Sequence, residues 1–159
     1  MIVIRFIADR SLLSRAIRFR TEGSPSHVEY LFVRDADSTP TTTFGARLAG
    51  GVCHRPYGYC TPTWEEWYAF EGIEASYEAA LAFEGRKYDW KDIAALAVDW
   101  HPAYYDPQRA ICSCLVGYSN RLAWAAGKAP ALLNENMPTW QFTPQIVYGA
   151  VTEMIRKVR

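Results

Sequence analysis

The stretches SHVE at 26–29 and ICSCLV at 111–116 decide which fold is expected for this chain. The first begins a predicted strand, in which His27 and Glu29 lie on one face because side chains alternate along a strand. The second begins a predicted helix with Cys112 in its first turn, where the positive end of the helix dipole favours a thiolate. A thiol, an imidazole and an acid that orients the imidazole are the components of a cysteine hydrolase or acyltransferase site.

The composition is that of a globular protein of moderate size. Half of the 159 residues are hydrophobic and 14% are aromatic, which excludes a disordered chain. Lysine plus arginine equals aspartate plus glutamate, at 17 each, so the charge gives no support to nucleic-acid binding, which requires a basic stripe. The length predicts a single domain over 1–159 and no particular oligomeric state.

The first ten residues are apolar but are interrupted by Arg5, Asp9 and Arg10. The charges leave too short an apolar run for a signal peptide, so this segment is predicted to be a buried first strand. No stretch approaches the eighteen or so apolar residues that a membrane span needs. We therefore expect a cytoplasmic protein, with release by lysis or packaging in a phage particle as the other route.

Strands and helices are predicted to mix without regular alternation, which indicates an α+β protein. Capping residues support two of the helices: Asp89 before the third, and Thr143 with Pro144 at the start of the last. Residues 53–63 look irregular, and Trp100–Arg109 is expected to be a loop. The pattern predicts strands over 2–8, 28–33, 41–46 and within 64–73, and helices over 12–19, 75–84, 90–98, 112–126 and from 144 onward.

Each cysteine also has a plainer interpretation. A single cysteine in an apolar helix is usually a buried structural thiol. Cys114 is a rival nucleophile, but it lies about 200° around the helix from Cys112, so both cannot face one histidine. Cys53, His54 and Cys60, with Cys112 and Cys114, would supply enough ligands for zinc, but the paired Cys-x-x-Cys spacing of zinc sites is missing. The prediction is therefore a site without metal or cofactor.

The order of these motifs resembles the circularly permuted papain-like amidases, the YiiX/YaeF-type branch of the NlpC-like superfamily, which also includes lecithin retinol acyltransferase relatives. Besides SHVE and Cys-Ser-x-Leu-Val, the resemblance rests on Gly85 with Tyr88-Asp89-Trp90. Further matching segments are SRAIRF at 14–19, FGAR at 44–47, GGV at 50–52 and TP at 143–144. Compact members of this layout are common in bacteriophage and prophage genomes. The implied fold is a small antiparallel sheet packed against helices.

The resemblance implies a role for each site residue. Cys112 is the nucleophile and His27 the general base. The orienting group is either Glu29 or, as is usual in papain-like folds, a residue of the following strand near Thr43; Glu29 is favoured here, although it could also be a solvated residue on an edge strand. Tyr88 is expected to line the pocket or to polarise the substrate carbonyl.

Two further residues are candidates for substrate binding. Ser26 precedes the histidine at a loop-to-strand junction, where binding groups tend to sit. Arg47 could bind a substrate carboxylate, although a surface salt bridge is the commoner use of such a residue. Where the family usually has Cys-Ser-Glu-Leu, this chain has Cys114 in place of the glutamate, which puts the substrate class and the activity in doubt.

The expected function is that of a cysteine hydrolase that cleaves peptide, isopeptide or acyl-amide bonds through a thioacyl-enzyme. A peptide derived from the cell wall is one candidate substrate, although the chain shows no attached wall-binding module. Two alternatives stay open: an acyltransferase of the lecithin retinol acyltransferase type, and a catalytically silent binding or virion-associated protein on the same fold. The acyltransferase alternative predicts an exposed apolar patch beside the site, which the sequence does not reveal.

Overall fold

The computed structural model describes residues 1–34, 39–97, 109–138 and 141–158. The predicted loop Trp100–Arg109 therefore lies, except for Arg109, outside the described residues. The elements in chain order are β1 (Ile2–Ala8), α1 (Leu12–Thr21), β2 (His27–Val33), β3 (Pro40–Arg47), β4 (Gly51–Pro56), a 3-10 turn (Tyr57–Tyr59), β5 (Trp64–Tyr68), α2 (Ile73–Leu81), β6 (Lys87–Tyr88), α3 (Trp90–Ala97), β7 (Arg109–Ala110), α4 (Cys112–Ala125) and α5 (Pro144–Val158).

A five-stranded antiparallel sheet is the centre of the structure, in the order β4-β3-β2-β1-β5. The short strands β6 and β7 form a separate parallel pair that leads directly into α4. The α+β prediction is confirmed. Because β2 is the middle strand, the histidine segment is hydrogen-bonded to β1 on one side and β3 on the other.

The two faces of the sheet are buried differently. One face carries the large apolar side chains and packs against the helices, in a core that includes Phe6, Tyr30, Phe44, Leu115 and Val147. The other face carries a smaller apolar group, Val3, Leu31 and Val33 with Tyr57, next to several charged residues. The segment that joins β4 to β5 brings Tyr57 and Tyr59 against this second face, and so encloses polar side chains that would otherwise be exposed.

Local signals place most element ends where they were predicted. The side chain of Ser11 accepts a hydrogen bond from the Ser14 amide at the start of α1. Asp89 does the same for the Lys91 amide before α3, and Thr143 for the Ile146 amide at the start of α5. The prediction that 53–63 is irregular is wrong for 53–56, because β4 extends to Pro56 and pairs with β3 along its whole length; the remainder is the 3-10 turn and irregular chain. No helix in the described ranges is both long enough and apolar enough to cross a membrane.

Candidate active site

Cys112 is the first residue of α4, and its position follows from the strand before it. β7 pairs with β6, and Ile111, in extended conformation, then turns the chain into the helix. Cys112 therefore lies at the positive end of the helix dipole, where the amides of the first helical turn have no partner within the helix. The side chain is only 2% exposed. Burial by itself would make this thiol unreactive, so its neighbours decide its chemistry.

His27 is the neighbour that matters most to Cys112. Burial disfavours the thiolate, but the charge of His27, a hydrogen bond with His27 and a hydrogen bond from the backbone amide of Val28 together hold the pKa of Cys112 below its ordinary value. Arg47 adds to the same effect from a longer range. A thiol with a lowered pKa beside a buried imidazole is the pairing that the sequence predicted for these two residues.

Glu29 lies on the other side of the imidazole. Its Oε2 is 3.1 Å from Nε2 of His27, which leaves Nδ1 as the ring nitrogen for the thiol. Glu29 is completely buried in the middle strand, so the alternative that it is a solvated residue on an edge strand is wrong. Burial would raise the pKa of this carboxyl, but the hydrogen bond and charge of His27, with Arg47 and Arg5, lower it to about 2. Glu29 is therefore ionised at neutral pH.

Two residues that sequence reasoning missed hold the Glu29 carboxylate. Nη1 of Arg5 donates to Oε1 at 2.9 Å, and the Tyr59 hydroxyl donates to Oε2 at 2.8 Å. Arg5 is itself fully buried, with its Nε 2.8 Å from Oε1 of Glu65. Each oxygen of Glu29 thus has a fixed donor, so the carboxylate cannot rotate away from His27. The available signal was Arg5 itself, a charge within an otherwise apolar strand that has to be paired when it is buried.

The alternative orienting group belongs to the following strand, β3. Thr43, the alternative near that position, pairs with Leu31, and within the described part of the chain its buried hydroxyl has no hydrogen-bond partner. The position of β3 next to Glu29 is Gly45, where an added Cβ would lie 2.8 Å from the Cβ of Glu29. The absence of a side chain at Gly45 is what makes room for the glutamate.

Arg47 lies at the edge of this cluster with its side chain partly exposed. Its Nε is 4.0 Å from Oε2 of Glu29, and its Nη1 is 3.9 Å from Oδ2 of Asp9. The guanidinium carbon is 4.8 Å from the centre of the Tyr59 ring, a cation–π distance. The plainer interpretation, an isolated surface salt bridge, does not describe this residue, because its cation contributes to the charge balance of both Glu29 and Cys112.

Ser26 differs from what was predicted. Its hydroxyl is buried, lies 2.7 Å from the hydroxyl of Ser14 and is within 3.3 Å of the Ile7 carbonyl. The Ser14 hydroxyl in turn accepts from the Asp9 amide. This set of bonds fixes α1 to the segment before His27, and it occupies the hydroxyl that substrate binding would have needed. The role that the geometry supports for Ser26 is therefore to position His27.

Tyr88 is buried on β6, the short strand that pairs with β7 directly before α4. Burial and then the charge of a Cys112 thiolate raise the pKa of Tyr88, so its hydroxyl stays protonated and can donate. The same ring forms one wall of a cavity of about 270 Å³ between α1 and α3, whose lining is almost entirely apolar. The cavity is lined by Leu13, Ala16, Ile17, Arg20, Leu48, Tyr88, Trp90, Ile93 and Ala94.

Among the described residues, the other cysteines and histidines form no second centre, and His101 lies outside those residues. His54 contacts Glu84 at 3.2 Å and the Tyr77 hydroxyl at 3.0 Å instead of a thiol. The residues that the structure describes contain no group of three or more ligating side chains that could hold a metal ion. Cys60 lies 3.7 Å from Nη2 of Arg47.

The chemistry of the site can be stated from its geometry. A buried thiol with a lowered pKa contacts a histidine, and a fixed, ionised glutamate binds the far nitrogen of that histidine. This is the arrangement of an activated nucleophile, a base and an orienting acid. No protein-family model, no curated protein and no solved structure matches this chain, so the chemistry is argued from this geometry alone.

Proposed function

We propose that this protein is a cysteine hydrolase that cleaves amide bonds through a thioacyl-enzyme, on a circularly permuted papain-like fold. The observation that carries the proposal is a single histidine, His27, in contact with both Cys112 and Glu29. The permuted order, with histidine before cysteine in the chain, supports the fold assignment. A cytoplasmic location and an association with phage stay predictions.

In the first half of the reaction, His27 takes the proton of Cys112 while the sulfur forms a bond to the substrate carbonyl carbon. The negative charge moves to the carbonyl oxygen, where the Cys112 backbone amide and the Tyr88 hydroxyl are the candidate donors. The tetrahedral intermediate then breaks its carbon–nitrogen bond. The amine leaves with the proton from His27, and the acyl group stays on the sulfur as a thioester.

In the second half, water attacks the thioester while His27 accepts its proton. The carbon–sulfur bond breaks, the acid leaves and the Cys112 sulfur recovers a proton from His27. His27 is therefore positively charged in both transition states, and Glu29 supplies the fixed negative charge beside it. Since the pKa of Glu29 is about 2, the carboxylate stabilises the imidazolium without taking its proton.

The substrate is proposed to be a peptide or an acyl amide, and a cell-wall peptide fits the same chemistry. Arg47 is the residue at the edge of the site with a partly exposed cation, and a carboxylate of the substrate is its complementary group. Substitution Arg47→Met keeps most of the side-chain volume and removes the charge. A selective rise in KM for carboxylate-bearing substrates, compared with their amidated forms, would support this role.

The test titrates the thiol without requiring access to it. The ultraviolet absorbance of the thiolate is followed from pH 5 to 9 in the native protein, in Cys112→Ser and in His27→Ala. The difference between the native protein and Cys112→Ser isolates Cys112, and Cys114→Ser is the matched control two residues away. Limiting iodoacetamide with mass-spectrometric mapping then identifies which cysteine reacts.

We expect Cys112 to ionise at a lower pH than an ordinary thiol in the native protein and at a clearly higher pH in His27→Ala, because the charge of His27 favours the thiolate. An activated ester should then add one acyl group to Cys112 in the native protein and none in Cys112→Ser. Equal, slow labelling of all four cysteines, unchanged in His27→Ala, contradicts the enzyme proposal and favours a silent binding protein on the same fold.

The apolar cavity next to Tyr88 favours a second candidate, an acyltransferase with the same first half-reaction. The cavity of about 270 Å³ has an almost entirely apolar lining, which is complementary to an acyl chain. The two functions differ in what attacks the thioester. Product ratios with and without an added alcohol or amine acceptor separate them, since a hydrolase yields mainly free acid and an acyltransferase mainly the transferred product.

A further inference from the structure

An exposed apolar row runs along α1, outside the reaction centre. Leu12 is 81% exposed and Phe19 is 88% exposed, with the exposed Ala16 between them. The spacing of four and then three residues places all three on one side of the helix. Single exposed apolar residues are common on protein surfaces, but an aligned row on one helix indicates a binding surface.

The opposite side of α1 is held in the protein, so this row faces outward in the folded state. Ile17 is buried, and Ser14 is buried with its hydroxyl bonded to Ser26. Rotation of the helix to bury Phe19 would therefore expose Ile17 and break the bonds that fix the segment before His27. The fold therefore fixes the orientation of α1, and a change of side-chain rotamers would not bury the row.

Positive charge borders the row on both sides. Arg15 lies on one side of it and Arg20 on the other, both exposed, and the helix contains no acidic residue. Arg10 precedes the helix and adds a third cation. A short helix with an apolar row between arginines has the composition of helices that lie in the interface of an anionic membrane.

The same surface continues to the reaction centre. Ala16 and Leu13 also line the apolar cavity, whose rim includes the exposed side chains of Leu48 and Trp90. The far wall of that cavity is Tyr88, which is next to Cys112. An external surface bound by α1 would therefore also contact the opening of the cavity.

We propose that this face, defined by Leu12, Ala16 and Phe19 with Arg15 and Arg20, binds an anionic lipid surface. The apolar row enters the interface, while the arginines bind lipid phosphates at its edge. Charge decides against a second copy of the chain as the occupant, because a symmetric contact between two such faces brings the arginines of both copies together. The inference goes beyond the proposed hydrolysis and does not depend on it.

Flotation with vesicles of phosphatidylcholine, with and without about a third of phosphatidylglycerol, tests the proposal on the full chain. We expect binding to the anionic vesicles that weakens as salt is added, and little binding to the neutral ones. Phe19→Ser should weaken binding about tenfold or more, because burial of a phenylalanine side chain is worth roughly 1.5–3 kcal/mol. The double variant Arg15→Gln and Arg20→Gln should weaken it by about 25-fold, at roughly 1 kcal/mol for each cation.

Leu122→Ser is the matched control, because it removes an exposed apolar side chain from α4 instead of α1. It should bind like the native protein. The variants in α1 should keep the thermal unfolding midpoint of the native protein, since Arg15, Phe19 and Arg20 are exposed. No flotation of the native protein, equal flotation with both vesicle types, or equal loss with Leu122→Ser would overturn the proposal. Concentration-dependent dimers that Phe19→Ser dissociates, without vesicle binding, would overturn it in favour of self-association.

Discussion

Substitution Glu29→Gln should destabilise the protein by an amount that depends on pH. The pKa of Glu29 is lowered from its ordinary value of 4.5 to about 2, a change of about 2.5. At about 1.4 kcal/mol for each pKa unit, the folded state favours the carboxylate by roughly 3 kcal/mol. Glutamine cannot replace it, because Arg5 and the pair Tyr59 and His27 donate to the two oxygens, so the amide NH2 meets a donor in either orientation.

The direction of the pH effect follows from the lowered pKa. A carboxyl whose pKa is lower in the folded state contributes its full stabilisation above the unfolded value, about 4.5, and loses it as the pH falls toward about 2. Urea unfolding of the native protein and of Glu29→Gln should therefore differ by roughly 3 kcal/mol at pH 7. More than half of that difference should be gone at about pH 3.

Glu66→Gln is the matched control for the same chemical change. Glu66 lies on β5 next to Glu65, and its carboxylate accepts from the Tyr148 hydroxyl, on the helix-packed face of the sheet. This variant should leave the ionisation of Cys112 unchanged, whereas Glu29→Gln should shift it. A free-energy difference for Glu29→Gln that is the same at pH 7 and pH 3 would refute the reasoning, since the lost interaction would then not involve an ionised carboxylate.

Three further substitutions test how the orienting group is held. Tyr59→Phe removes the hydroxyl that donates to Glu29, so unfolding measurements should show a loss of about 1–2 kcal/mol, and acylation of Cys112 should slow several-fold. Gly45→Ala places a Cβ 2.8 Å from that of Glu29. We expect the free energy of unfolding in urea to fall by about 1–3 kcal/mol, and kcat to change more than KM. Thr43→Val should leave both the thiol titration and the rate unchanged, because the Thr43 hydroxyl has no hydrogen-bond partner among the described residues; a large loss of rate would favour the following strand as the source of the orienting group.

The parts of the fold that depend on local sequence were predictable. β1 was predicted with its observed ends, and the caps at Ser11, Asp89 and Thr143 lie where short-range rules put them. Cys112 at the start of its helix was likewise predicted from a few neighbouring residues. A helix cap is formed by residues within one turn of each other, so a short stretch of sequence contains both partners of the hydrogen bond.

Features that depend on distant parts of the chain were not predictable in the same way. β4 was missed because Pro56, Gly58 and Pro62 suggest an irregular segment, and only the pairing of residues 51–56 with β3 makes them a strand. Glu29 could be interpreted as an exposed residue because the alternation of side chains does not reveal whether a strand lies at the edge or in the middle of a sheet. Strand order is set by packing across the whole domain.

Arg5 is the clearest case of a residue whose role depends on partners that are distant along the chain. In the sequence it is a charge that interrupts an apolar segment, and the inference from it was only that the segment is not a signal peptide. In the structure its charge offsets those of Glu29 and Glu65, sixty positions further along the chain. Tyr59, in a segment predicted to be irregular, was missed for the same reason. The roles of Arg5 and Tyr59 can be recognised only in the folded structure, where the sheet brings β1, β2 and β5 together.

The position of the acid and the nature of the neighbouring strand are linked in this site. An acid two residues after the histidine reaches the ring along its own strand, since both side chains point to the same face about 7 Å apart. The carboxylate then occupies space above the next strand, which is why that strand has Gly45 there and not a larger residue. Glu29 therefore fills the space that Gly45 leaves empty on the following strand. Any comparison with proteins that supply the acid from the following strand has to consider the positions of Glu29 and Gly45 together.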